Sequence, residues 1–165
     1  MNTAKKTAAI LAILLMLCAC GGGQTKSAKP VSLSEDFCEK GKITQEDFEC
    51  EADFRRGGDG TWEIEFSSPD SISGMKVKCS GDICSVDFME LSYSMDRGKL
   101  PESSMISLIT KAADELISQK DLTCSQNGKT VTEKGIVSGQ DFTAEFNDEN
   151  IKKLEIAKNL TVEFT

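Results

Sequence analysis

Beyond residue 35, apolar side chains fall at every second position over most of the chain. Phe48, Cys50, Ala52 and Phe54 alternate with charged residues, the glycine-rich run 57–60 makes a turn, and Trp62, Ile64 and Phe66 alternate in reply. Pairing Ala52 with Ile64 sets Cys50 beside Phe66 and Phe54 beside Trp62, so one face of this hairpin is dry. Met75, Val77 and Cys79 precede a turn at Gly81 and Asp82, and Cys84, Val86 and Phe88 follow it. With a two-residue turn, Cys79 faces Cys84, Val77 faces Val86 and Met75 faces Phe88. After Phe88 the apolar phase moves to Met89, Leu91 and Tyr93, which predicts a bulge or a strand with both faces partly covered.

Residues 100–119 break the alternation. Met105, Leu108, Ile109, Ala112, Ala113, Leu116 and Ile117 recur at helical spacing, with Pro101 in the first turn and Ser103 or Ser104 as a cap. Strands then resume. Asn127 and Gly128 form a hairpin turn that sets Cys124 opposite Val131. Phe142, Ala144 and Phe146 are answered by Leu154 and Ile156 across a polar turn at 147–150, and Leu160, Val162 and Phe164 close the chain. About ten antiparallel strands in meander order with one helix inserted must cover a single apolar face. The expected fold class is α+β, mostly β: a curved antiparallel sheet, an unclosed half-barrel, wrapped around one long amphipathic helix.

The first residues change the picture. Lys5 and Lys6 precede an uncharged run at 7–17, which is too short for the roughly 20 apolar residues of a membrane span and stops at three glycines. Leu17-Cys18-Ala19-Cys20 resembles the bacterial lipobox, in which a leucine three positions before, and a small residue just before, a cysteine direct lipid to its thiol. That resemblance implies a lipoprotein signal at 1–19, lipid attachment at Cys20 and a palmitate-type anchor. Residues 20–34, rich in Gly, Ser, Thr and Lys, read as a flexible tether of roughly 20 Å reach. One domain then occupies 35–165. The expected location is the outer face of the cell membrane.

Without Lys5 and Lys6 the 19 basic residues fall to 17 against 27 acidic ones, a net charge of −10. Phosphate backbones and anionic head groups repel such a domain, which speaks against nucleic acid as a partner. The chain has no histidine, so the usual base for a Ser or Cys nucleophile is missing, and no enzyme, cofactor or metal site is expected. Asp47, Glu49, Glu51 and Asp53 fall on the phase opposite the apolar face and read as the solvated side of a strand. The stretch 147–150 lacks the glycine and spaced carboxylates of a calcium loop and reads as a turn. Five cysteines remain in the exported part, an odd number. Cys79 and Cys84, opposed beside a turn, are a candidate disulfide, and Cys38 and Cys50, flanking another turn, are a second. Alternatively these are small buried residues.

The motif Trp62-x-Ile64-x-Phe66-x-x-Pro69-x-x-Ile72-x-Gly74, with the following hairpin and the helix after Pro101, resembles small Gram-positive lipoproteins with a LolA-like domain, similar to the periplasmic lipoprotein carrier and the mycobacterial LppX and LprG. The resemblance implies a concave apolar face that holds acyl chains. Trp62, Phe66, Val77, Val86, Phe88, Leu108, Ala112, Phe142 and Phe146 are the candidate lining residues, and the same residues would form an ordinary core. Two functions follow as expectations: a membrane-anchored lipoprotein that binds or presents a lipid or other apolar ligand, or a non-enzymatic interaction or sensor module of the cell envelope with a closed core.

Overall fold

The structure, a computed structural model, describes residues 26–165. The expected signal at 1–19 and the lipid site Cys20 lie outside the described residues. Period-two alternation yields strands β1 (Lys26–Ser27), β2 (Phe37–Gln45), β3 (Phe48–Arg56), β4 (Trp62–Ser68), β5 (Lys76–Ser80), β6 (Ile83–Phe88) and β7 (Leu91–Asp96). After a 3-10 turn at Arg97–Lys99 and helix α1 (Met105–Ser118) come β8 (Thr123–Asn127), β9 (Thr130–Val137), β10 (Gln140–Asn147), β11 (Asn150–Ile156) and β12 (Leu160–Phe164). All twelve join one antiparallel sheet in the order β1-β8-β9-β10-β11-β12-β2-β3-β4-β5-β6-β7. Two connections cross the sheet: residues 28–36 run from β1 at one edge to β2 in its middle, and a longer one carries the chain from β7 at the other edge back to β8, with α1 within it.

This architecture corrects the expected one. Among the described residues the protein is mostly β, with one α-helix that is short: there is no long amphipathic helix for a half-barrel to wrap. The helix starts at Met105 because Ser104 caps it, its Oγ accepting the Ser107 N–H at 3.3 Å. Residues from Pro101 form a separate turn, closed by the Ser104 N–H donating to the Pro101 carbonyl at 2.9 Å. Gln119, left-handed at φ 55°, ends the helix after 14 residues. Of the 28 buried apolar residues only five, Leu108, Ile109, Ala112, Ala113 and Leu116, belong to it, so the sheet supplies most of the core.

The sheet also departs from the expected registers, in instructive ways. Phe54 pairs with Ile64 and Ala52 with Phe66, because a wider loop closes between Arg56 and Trp62, with the Gly57 N–H donating to the Thr61 carbonyl at 2.9 Å. The slip is two residues, an even number, so the same side chains still face inward. The β8–β9 turn falls on Gly128 and Lys129, with Gly128 at φ 62°, the first central position of a tight hairpin where glycine is favoured. Cys124 consequently faces Glu133 instead of Val131. The phase change after Phe88 is neither a bulge nor a doubly covered strand. Met89 and Glu90 are a two-residue turn, and Phe88 pairs with Leu91.

Packing explains the two strand glycines, Gly41 and Gly135. At Gly135 an added Cβ would lie 2.6 Å from the Phe142 ring, its cross-strand partner, so the ring covers the glycine. The aromatic centre of the core joins Phe37 to Trp62 and Phe164, and Phe54 to Phe164, at centroid distances of 5.8–5.9 Å.

Candidate interaction surface

Placing the nine expected lining residues decides what kind of site the sheet offers. Trp62, Phe66, Val77, Leu108, Ala112, Phe142 and Phe146 are buried among one another and their neighbours, while Val86 and Phe88 are half-buried. A polar clamp holds α1 over this core. Asp114 Oδ1 accepts from Arg56 Nε at 2.8 Å and from the Trp62 indole N–H at 3.1 Å, and Arg56 Nη1 also donates to the Glu35 carbonyl at 2.9 Å. Five hollows open on the described surface, and Phe142 alone of the nine borders any of them. The largest of the five, about 600 Å³, is lined mainly by charged and polar groups, Lys134, Asp141, Glu155 and Lys158 among them. The seven buried residues belong to one hydrophobic core cluster.

The candidate cysteines separate. Cys79 and Cys84, directly opposed across β5 and β6 with Cα atoms 4.1 Å apart, form a disulfide within the core. Cys38 and Cys50 do not pair: Cys38 stands opposite Arg55 and points outward, whereas Cys50 stands opposite Ile43 and points inward. Burial pushes the Cys50 thiol up to about 11, leaving it unreactive as a nucleophile. Glu49 and Asp53 lie on the outer face in ion pairs with Lys42 at 2.8 Å and Lys40 at 3.2 Å, as cross-strand charges do on a solvated sheet.

Residues 26–34, expected to be tether, are part of the domain. Lys26 and Ser27 add β1 to β8, Leu33 is buried, and Ala28 and Val31 pack against the core. The strap is tied down by Glu133, whose Oε1 accepts the Val31 N–H, and by Gln119 Nε2, which donates to the Val31 carbonyl at 3.3 Å. Glu133 is fully buried and its Oε2 has no partner. Burial raises its pKa above the ordinary 4.5, only partly opposed by the bonds from Val31 and Gln119. The opposite Cys124 thiol is raised by burial and by the negative Glu133.

The far edge is the reverse of this. β7 has no hydrogen-bonded neighbour beyond it among the described residues. On the face continuous with the core it carries Leu91 and Tyr93, 77% and 64% exposed, and on the other face Ser92 and Ser94, also exposed. Met89 at the hairpin tip is 86% exposed. A free edge with exposed apolar residues and no charge before Asp96 is a template for pairing with another strand. No protein-family model matches the sequence, and no curated protein matches it.

Proposed function

We propose that the protein is an exported lipoprotein, anchored through Cys20 to the outer face of the cell membrane, whose β domain is a non-enzymatic module that binds another protein through the β7 edge. The observation that carries this reading is the contrast between the buried position of most expected lining residues and a bare apolar edge at Leu91 and Tyr93. A closed core with exposed edge groups is what strand-addition binding requires. Replacing Cys20 by Ala should abolish lipid labelling and release the protein from membranes; labelling that persisted would move the site to Cys18.

A second reading, binding of a lipid or other apolar ligand, draws on one observation: Val86 and Phe88 are half-buried and adjoin Leu91 and Tyr93, leaving an apolar strip open beside β6. Native mass spectrometry of the protein, purified without detergent and then offered lipid extracts, separates the two. A bound apolar species lost in Tyr93→Asp would replace the protein-binding reading with this one. A protein adduct at β7 with no bound lipid keeps it.

A further inference from the structure

We infer that the partner at the β7 edge is a second copy of this chain, joined β7 to β7 in antiparallel register about Ser94. The inference rests on the protein-binding reading of that edge and names its occupant.

The backbone geometry comes first. Phe88 and Leu91 close a two-residue turn, and the Arg97 N–H donates to the Asp82 carbonyl at 2.7 Å, so the odd-numbered residues of β7 exchange hydrogen bonds with β6. Ser92, Ser94 and Asp96 therefore turn their N–H and C=O groups outward. None of the usual edge defences stands there: β7 has no proline, lysine or bulge, and a single charge at its last residue.

Charge then selects the occupant and the register. Two copies of an acidic domain repel wherever carboxylates meet. Between Leu91 and Met95 there is none on either face. In the pairing centred on Ser94, Ser94 faces its own counterpart, Ser92 faces Asp96, and Tyr93 faces Met95 of the second copy. All three outward-turned residues bond, and no carboxylate opposes another. Centring on Tyr93 would set Glu90 against Asp96 twice. Centring on Ser92 would draw the turn residue Met89, at φ 55°, into the ladder. Centring on Met95 would set Ser92 against the 3-10 turn at Arg97–Lys99 and leave it unbonded, so the Ser94 register bonds the most residues, and its small area suits a reversible pair better than a permanent dimer.

The test uses the full chain in intact cells, as two populations with donor and acceptor fluorophores fused after Thr165. Because Ser94 faces itself, Ser94→Lys in both populations, or Ser94→Glu in both, should reduce energy transfer by roughly two- to fivefold, the effect of like charges directly opposed on a sheet. Mixing Ser94→Lys with Ser94→Glu should restore it. Ser94 is exposed, so unchanged thermal melting of each variant is expected and shows that the fold is intact. In parallel, a photoreactive residue in place of Ser92 reports what lies beside the strand. A covalent dimer of this chain supports the inference. An adduct with a different protein, and energy transfer indifferent to position 94, overturns the second copy but leaves the protein-binding edge standing. No protein adduct and no energy transfer overturns both.

Discussion

The two edges of this sheet solve the same problem in opposite ways. At β8 the chain lays its own strap along the edge, ties Val31 to a buried carboxylate and buries Leu33. At β7, among the described residues, the edge is left open, without charge from Leu91 to Met95, and flanked by exposed Leu91 and Tyr93. A protein that protects one edge with such care shows that an open strand is not forced by its topology. The difference sets β7 apart and is what the proposed protein-binding reading rests on.

Comparable substitutions on the two sides should break the symmetry most strongly. Phe146→Ala, on the covered side where the ring is fully buried, should cost about 3–5 kcal/mol of stability in chemical denaturation. Tyr93→Ala on the bare edge should change it by less than about 0.5 kcal/mol. Equal losses would mean that β7 is covered in solution by something the chain itself supplies.

The next effect belongs to the bare side. The Cys79–Cys84 bridge closes a short loop, and removing it as the Cys79→Ala, Cys84→Ala double variant should cost about 2 kcal/mol. Unfolding with and without reductant should give the same difference in the wild type and none in the variant. On the covered side, Val31→Pro deletes the N–H that Glu133 accepts. It should lower stability by about 1 kcal/mol and speed proteolysis within residues 26–33, leaving photo-adducts at position 92 unchanged.

The smallest effect is a pH slope. Glu133 has a folded pKa above its unfolded value near 4.5, so the native state holds the proton longer than the unfolded chain does. Its contribution is fully present below 4.5 and is lost as pH rises through the folded value. Glu133→Gln should remove that slope, measured as unfolding free energy across the acidic-to-neutral range; an unchanged slope would place the titration elsewhere.

Alternation along the chain made the strands and their inward faces legible, because a side chain's face depends on parity and the registers that slipped did so by two residues. Exact partners were not legible. Loop geometry sets them, and whether Asn127 and Gly128 or Gly128 and Lys129 form a turn depends on which central position must take a positive φ. Residues 100–119 read as one long helix with Pro101 in its first turn, whereas Ser104, one of the two expected caps, starts the helix at Met105 and Pro101 belongs to a separate turn before it. The strap was hidden by composition: its Gly- and Ser-poor part, 28–33, contains only Val31 and Leu33 as large apolar residues, too few to show a period. Glu133 had a readable signal. In Val131-x-Glu133-x-Gly135-x-Val137 the carboxylate stands on the apolar phase, and an inward charge needs a partner, here the backbone of the strap. The open edge had one too, since Leu91 to Met95 lacks the charges that every outward face of β3, β4 and β5 carries.

The strap also gives the domain a mechanical property. A pull between a lipid on Cys20 and whatever grips the β7 edge enters the sheet through Lys26 and Ser27, whose ladder with β8 is two residues long. That ladder and the Val31–Glu133 bond carry the load before any core strand does. Their release would pay out residues 26–33, about 28 Å of chain at full extension, while the sheet stays folded. On the proposed reading, with an anchor at Cys20, the strap would act as a fuse between anchor and core, and a tug would lengthen the leash before it unfolded the sheet.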